Sequence, residues 1–122
     1  MKKSELYQKI VEKVCEVCEI NYDHLIRGCR LQAVVDARIL SVQYLRRAGL
    51  SNDDIALITL KAIGNDEHIP LEQIKKKARG IDKEFRSYSD RCLQSLSFRM
   101  MSVEIRNFFT QIMSEIDDLE MQ

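Results

Sequence analysis

Apolar residues recur three and four positions apart along nearly the whole chain, a spacing typical of amphipathic α-helices. Helix-breaking residues are scarce, since the 122 residues include one proline and four glycines. No stretch of useful length alternates apolar and polar residues as a half-buried strand does. We therefore expect an all-α fold, a small bundle of about six helices with a helix-turn-helix-like core and a long amphipathic C-terminal helix.

Polar capping residues and glycines divide the first part of the chain into short helices. Ser4 is expected to cap a first helix that runs to about Glu19. Asn21 is expected to cap a short second helix that Gly28 stops, and a loop over residues 28–34 should follow.

The third predicted helix is apolar on two sides. Asp36 is predicted as its N-cap, and Gly49 suits the left-handed residue that often follows a helix end. A helix with two apolar sides is generally sandwiched between others, so we expect this one to be the central core helix. The two sides consist of Val35, Ile39, Val42 and Leu45, and of Leu40, Tyr44 and Ala48.

A fourth helix is expected to start almost immediately after the third. Ser51 followed by Asp54 resembles a capping box, and only Leu50 separates Gly49 from this cap. Two helices joined by so tight a turn cannot be collinear, and such a pair is typical of the entry to a helix-turn-helix. The fourth helix should cover the sequence DDIALITLKAI, and a loop over residues 64–69 should follow.

A fifth helix carries a cluster of cations along one side. Pro70 fits its first position, and its apolar side continues past Gly80, so we expect the helix to run through that glycine. The cations project within about 100° of one another. They could follow a phosphate backbone or form an ordinary solvated helix face. They are Lys75, Lys76, Arg79, Lys83 and Arg86.

The segment from about Asp90 has the most regular apolar spacing in the chain. One side resembles a coiled-coil seam and is predicted to form a dimer interface, although it could also fold back as ordinary core. This seam consists of Phe98, Met101, Ile105, Phe108, Ile112 and Ile116. The first half has a second apolar side made of Leu93, Leu96, Met100 and Val103. We accordingly expect a helical domain over residues 1–88 and a C-terminal helix over residues 89–122 as the candidate dimerisation element.

Charge and motifs narrow the function classes. The formal net charge is zero, with 19 basic and 19 acidic side chains, so any attraction to nucleic acid must be local. No run of about 18 uncharged apolar residues could cross a membrane. No nucleophile elbow, phosphate-binding glycine loop or HExxH pattern occurs. We expect a cytoplasmic, non-enzymatic protein with no cofactor, no membrane partner and no small-molecule substrate.

Four cysteines raise the question of a zinc site, because Cys15 and Cys18 form a CxxC pair with His24 and Cys29 close behind. Zinc knuckles usually place such cysteines on a turn. Here both cysteines belong to a stretch whose apolar residues already repeat at helical spacing. We therefore interpret them as small buried hydrophobic residues and expect no metal.

Part of this pattern resembles the C-terminal DNA-binding domain of the bacterial replication initiator DnaA. In that family a short helix leads into a basic loop, which is followed by a long core helix and a helix-turn-helix. The likeness spans roughly residues 6–88. The matching segments are Asp23-His24-Leu25-Ile26, Arg27 to Arg30, Val35-Asp36-Ala37-Arg38, Tyr44-Leu45-Arg46, and Leu50-Ser51 with Ile55.

The resemblance implies binding to double-stranded DNA, with the basic loop at the minor groove and the recognition helix in the major groove. It implies a minor-groove or phosphate role for Arg27 and Arg30. Together with the basic side of the fifth helix, the predicted DNA-binding residues are Arg27, Arg30, Arg38, Asn65, His68, Lys75, Lys76, Arg79 and Lys83.

The sequence departs from the family where bases are read. The family signature is a glycine pair, a basic residue and then Asp-His-Ser/Thr-Thr-Val, whereas this chain has Gly64-Asn65-Asp66-Glu67-His68-Ile69-Pro70-Leu71. We therefore do not expect it to read the initiator's usual DNA box. The favoured function is a non-enzymatic helix-turn-helix protein that binds double-stranded DNA. The alternative is a protein–protein interaction module of the same fold.

Overall fold

The computed structural model describes residues 3–27, 29–60 and 70–121, and every regular element in these ranges is an α-helix. The finding confirms the predicted all-α bundle of six helices with a long C-terminal helix. In chain order the helices are α1 (Lys3–Val17), α2 (Tyr22–Arg27), α3 (Gln32–Arg47), α4 (Asn52–Leu60), α5 (Leu71–Gln94) and α6 (Leu96–Glu120).

Helix α3 is the centre of the bundle, as its two apolar sides predicted. It contacts each of the other five helices. Leu40 and Tyr44 on one side are completely buried, and so are Val42 and Leu45 on the other. Because both sides are buried over most of their length, the remaining helices are arranged around α3 and bury their own apolar faces against it.

The start of α3 differs from the prediction. The helix begins at Gln32, so Asp36 lies within its second turn and does not cap it. The Asp36 carboxylate is buried, and it accepts hydrogen bonds from Arg91 Nε at 3.1 Å and Arg91 Nη2 at 3.2 Å. It also accepts one from Gln32 Nε2 at 2.8 Å. Asp36 was mistaken for a cap because its partner is 55 residues away in the chain, where a local pattern cannot reveal it.

Helices α1 and α3 end in the same way. In each, a residue with positive φ follows the helix, Glu19 at 56° and Gly49 at 93°. The amide of the next residue then bonds to the carbonyl five positions back, which is the Schellman arrangement. Gly49 was expected in this role, since glycine adopts positive φ without strain. At the end of α1 a glutamate occupies the same backbone position.

Side-chain caps start two of the short helices where the sequence predicted them. The Asn21 side-chain oxygen accepts from the backbone amide of Asp23 at 3.1 Å, at the start of α2. Ser51 Oγ accepts from the backbone amide of Asp54 at 3.2 Å, at the start of α4. Each cap satisfies an amide that has no partner within its own helix.

The boundary between the last two helices lies further along the chain than expected. Helix α5 begins directly after Pro70, continues through Gly80 as predicted, and ends at Gln94 rather than near Asp90. Ser95 then caps α6, because its Oγ accepts from the backbone amide of Phe98 at 3.1 Å. The division expected between residues 88 and 89 therefore falls inside a continuous helix. The predicted end of the fourth helix and the loop over residues 64–69 lie outside the described residues.

The predicted dimer seam of α6 is buried within the single chain, so its assignment to a dimer interface is wrong. Phe98 and Ile105 are 0% exposed, Ile112 is 3% exposed and Ile116 is 2% exposed, and all four belong to the main core. The other two seam residues, Met101 and Phe108, pack against that core.

Helix α1 covers the seam and runs antiparallel to α6. Lys3 pairs with Glu120 at 2.6 Å near one end, and Lys13 pairs with Glu104 at 3.6 Å further along. A regular apolar spacing shows that a helix face will be buried, but it does not show whether the covering helix belongs to the same chain.

Cys15 and Cys18 lie in the core, as predicted, with 5% and 8% of their surfaces exposed. Burial raises the pKa of the Cys15 thiol to about 11 and that of the Cys18 thiol to about 12. Both side chains are therefore neutral near pH 7 and pack as small apolar groups.

Buried hydroxyl groups join α3, α5 and α6. The Tyr44 hydroxyl donates to the backbone carbonyl of Ser102 at 2.7 Å, and it also lies 3.0 Å from Ser102 Oγ. Since the single Tyr44 proton is used on the carbonyl, Ser102 Oγ donates to Tyr44. The Tyr88 hydroxyl, 2.9 Å from Ser102 Oγ, then donates to the serine. Every hydroxyl proton in this network has an acceptor.

The two helix ends predict opposite effects of glycine. Glu19→Gly should stabilise the protein by about 0.5–1 kcal/mol, because an L-residue is strained at positive φ and relief of that strain exceeds the added freedom of the unfolded chain. Gly49→Ala should destabilise by about 1 kcal/mol for the same reason, with no steric contribution, since nothing lies within 4 Å of an added Cβ. Denaturant unfolding would measure both, and a destabilised Glu19→Gly protein would contradict the explanation.

The hydroxyl network predicts unequal effects of removing its two tyrosine hydroxyls. Tyr44→Phe should lower the free energy of unfolding by about 1–2 kcal/mol, because it leaves buried groups of Ser102 without a partner. Tyr88→Phe should cost about 0.5 kcal/mol or less, since Tyr88 is half-buried and water can replace its bond. Paired urea titrations would test this, and equal losses would contradict the different burial of the two hydroxyl groups as the cause.

Candidate nucleic-acid interface

Helices α4 and α5 pack against each other, and both also contact α3. Arg46 of α3 forms an ion pair with Asp82 of α5. The Arg46 guanidinium also lies 5.0 Å from the centre of the Phe85 ring. These contacts hold the middle of α5 on α3, while the residues that connect α4 to α5 lie outside the described ranges.

One side of α5 is buried and the opposite side faces solvent. Ile81 is 0% exposed, and Ile74, Ala78 and Phe85 pack partly buried against the same core. At about 100° per residue, the predicted cations lie on the opposite side. All five are exposed, and we call them the α5 basic face: Lys75, Lys76, Arg79, Lys83 and Arg86.

The cations of the α5 basic face differ from most other cations in having no ion partner. Among the described residues, none of the five lies within 4.0 Å of a carboxylate oxygen. Asp82 borders the face, but Arg46 and Asn52 hydrogen-bond to its carboxylate and lower its pKa. None of the five cations therefore forms a close ion pair in the part of the protein that the structure describes, although the charge of Arg86 also contributes to the lowered pKa of Asp82.

The predicted basic loop follows α2. Arg27 is exposed, and its only ion partner in the described chain is Asp23, one helical turn away at 3.9 Å. A solvent-exposed pair at this distance contributes little. Arg30 is also exposed and has no ion pair with a described residue. Both side chains are accessible, as the prediction required.

Arg38 is directed into the protein, away from solvent. Its side chain is only 12% exposed, and its Nη2 donates to the carbonyl of Cys29 at 3.2 Å. Arg38 Nε lies 3.9 Å from Glu84, and Lys77 Nζ lies 4.0 Å from the same carboxylate. We therefore remove Arg38 from the set of predicted contact residues. Its role is to tie the basic loop to α5.

Glu84 was not recognised from the sequence as an organising residue. Burial raises the pKa of its carboxyl group, and burial lowers the pKa of the neighbouring Lys77. Lys77 and Glu84 are two helical turns apart beside the apolar side of α5. Opposite charges at this spacing, next to a side that is predicted to be buried, could have indicated an ion pair within the protein. The other two predicted contact residues, Asn65 and His68, lie outside the described ranges.

The described residues offer neither a cluster of metal ligands nor a membrane-spanning helix. No three His, Cys, Asp or Glu side chains within them are grouped so that they could hold a metal ion. None of the described helices combines the length and apolar character needed to cross a membrane.

The fold and the surface together define an all-helical protein with a largely buried central helix and an exposed basic face on its neighbour. No model of a known protein family, no curated protein and no solved structure matches this chain. The resemblance to the replication initiator's DNA-binding domain therefore rests on the residues quoted for it.

Two arginines separate structural cations from surface cations. Arg38→Ala should destabilise the fold by about 2 kcal/mol, because it leaves the Cys29 carbonyl without its side-chain donor and the half-buried Glu84 carboxylate with Lys77 as its only cation. Arg79→Ala should change the free energy of unfolding by no more than about 0.5 kcal/mol, since Arg79 is exposed and unpaired among the described residues. Thermal and denaturant unfolding would measure the stability of both variants. Equal stabilities would contradict a structural role for Arg38 and a purely surface position for Arg79.

Proposed function

We propose that this protein binds double-stranded DNA as a non-enzymatic helix-turn-helix protein and contacts phosphates through the α5 basic face. The observation that carries the proposal is the accumulation of five exposed cations without ion partners in the described residues. A solvated face that serves only solubility usually carries both signs of charge in similar numbers. On the exposed side of α5 the five cations outnumber the acids, which are Asp82 at the border and Glu72 and Asp90 at the two ends.

A net charge of zero is compatible with such binding because phosphate contacts are local. At physiological ionic strength, electrostatic interactions are screened over about 8 Å. The acidic residues near the end of α6 therefore matter less than the charges that meet the backbone directly. Those acids, Glu115, Asp117, Asp118 and Glu120, lie on a different helix from the basic face.

The basic loop supports the same proposal. Arg27 and Arg30 are exposed, and Cys29 between them is bonded through its carbonyl to Arg38. Arg38 in turn approaches Glu84, which is adjacent in sequence to Lys83 of the basic face. A loop tied to α5 in this way can act together with it, because its position is set before any partner arrives.

The expected binding is governed mainly by charge. Lysine and arginine side chains on the outside of a helix reach phosphate oxygens readily, and such contacts position a protein without reading sequence. We therefore expect strong salt dependence and modest discrimination among duplexes.

A protein–protein interaction module is the second candidate. Glu72 and Asp90 lie at the two ends of the α5 basic face and are both exposed. An acidic protein surface could meet the cations between them as well as a phosphate backbone could. The two candidates differ in the partner that neutralises the face.

Fluorescence anisotropy with a random-sequence duplex at about 50 mM and about 200 mM salt would test DNA binding. We expect micromolar or tighter binding at the lower salt that falls steeply at the higher. Combined Lys76→Ala, Arg79→Ala and Lys83→Ala should weaken binding at least about tenfold, and the slope of log affinity against log salt should flatten by about one for each phosphate-binding cation removed. Arg30→Ala should have a smaller effect of the same kind.

Arg106→Ala is the matched control, because Arg106 is an exposed cation of α6 without an ion pair among the described residues. Its removal changes the net charge but should leave affinity within about twofold of the wild type. Equal reductions in affinity for Arg106 and for single residues of the basic face would contradict a localised binding surface. Absence of binding at the lower salt would favour the interaction module.

A further inference from the structure

A second apolar surface remains exposed after α6 has packed onto the bundle. Leu93 is 85% exposed, Leu96 65%, Met100 66% and Val103 46%. Leu93 belongs to the last turn of α5, and the other three share the outer side of α6. We call this set the outer apolar surface. It lies opposite the buried seam of α6, so the fold of the single chain leaves it uncovered.

The spacing of the outer apolar surface is that of a coiled coil. Its three members on α6, Leu96, Met100 and Val103, follow one another by four and three residues, which places them at d, a and d positions of a heptad. Leu93 precedes the extended residue Ser95 and lies outside this heptad. The next a position is Asn107, which is also exposed. A single asparagine at an a position commonly sets the register of two parallel helices, because each amide can bond to its counterpart.

The charges that border this surface are complementary between two copies. Arg99 borders it on one side and Glu104 on the other, at the g and e positions that flank the seam. The two lie about 140° apart around the helix, so they do not meet within one chain. When two α6 helices lie parallel, Arg99 of each faces Glu104 of the other, five residues further along.

Both bordering side chains are exposed, although Glu104 already pairs with Lys13 of its own chain. Arg99 is exposed and has no ion pair with any residue that the structure describes. The Glu104 side chain is 63% exposed, with Lys13 as its partner at 3.6 Å. The surface itself carries no charged residue that would have to be buried.

We propose that the outer apolar surface binds a second copy of this chain, with the two α6 helices parallel and Asn107 paired across the two-fold axis. The contact is short, but α6 is already folded on the bundle, so no helix has to form when the copies meet. Patches of this kind cover several hundred Å² at most, and two of them reach only the low end of stable interfaces, about 1,000 Å². The dimer is therefore weak and depends on concentration.

Sedimentation equilibrium from about 5 to about 500 µM protein, without DNA, tests the dimer independently of the proposed function. We expect the mass to rise from monomer towards dimer over this range. Leu96→Glu should abolish the rise. Leu71→Glu is the matched control and should leave it unchanged, since Leu71 is likewise the first residue of its helix and is 59% exposed. A monomeric wild type, or a dimeric Leu96→Glu, would overturn the proposal and leave the surface to a different protein.

A charge exchange tests the parallel arrangement. Arg99→Glu places like charges opposite each other at two equivalent positions and should weaken dimerisation about tenfold. Adding Glu104→Lys together with Lys13→Gln, which keeps two lysines from facing each other between α1 and α6, should restore affinity to within about threefold of the wild type, because the attraction between the copies is then reversed in sign and retained. If the changes at Glu104 and Lys13 fail to restore dimerisation, the proposed parallel pairing of Arg99 with Glu104 of the second copy is overturned.

Discussion

The hydroxyl of Tyr44 lies in the middle of the bundle, where no water can reach it, and its position constrains how three helices meet. Its proton is donated to the Ser102 carbonyl, and its oxygen accepts from Ser102 Oγ. A buried hydroxyl without these partners would cost about 1–3 kcal/mol. Helix α6 must therefore cross α3 at Ser102, and α5 must bring Tyr88 to the same point.

Aromatic packing extends this junction to the apolar core. The Tyr44 ring lies 5.2 Å from that of Phe109, and the Tyr88 ring lies 5.8 Å from that of Phe98, both in tilted arrangements. The Asp36–Arg91 ion pair closes the same region, with the Arg91 guanidinium 5.6 Å from the Phe98 ring. The hydrogen bonds and the apolar core therefore meet at this point: the Phe109 ring packs beside the Tyr44 side chain, and the Phe98 ring packs beside Arg91.

The protein uses its cations in two different ways. Arg38 and Arg91 are largely shielded from solvent, and each meets a carboxylate on another helix, so they hold α3 to α5. The cations of the α5 basic face point away from the core and meet no carboxylate in the described chain. Helix α5 thus carries its structural charges on one side and its available charges on the other. Its outer side can meet a partner without disturbing the fold.

Local features of the sequence predicted the helices and several of their ends. Asn21, Ser51 and Gly49 act where they were expected, because a cap or a left-handed residue works through backbone groups only a few positions away. Asp36 was misassigned and Ser95 was missed, since carboxylates and serines occur in many settings that local patterns do not separate. Of the predicted contact residues, the lysines and arginines of α5 are exposed as expected, whereas Arg38 is not.

The sequence by itself determined that this chain is helical, that α3 is buried on both sides, and that α6 has two apolar sides, because these properties follow from spacing along a single helix. Only the tertiary structure decided which of those apolar sides is covered. Helix α1 occupies the seam of α6 and leaves the outer apolar surface exposed. The tertiary structure also decided which cations form ion pairs. Residues such as Asp36 and Arg91 are distant in the chain and meet only once the helices have packed.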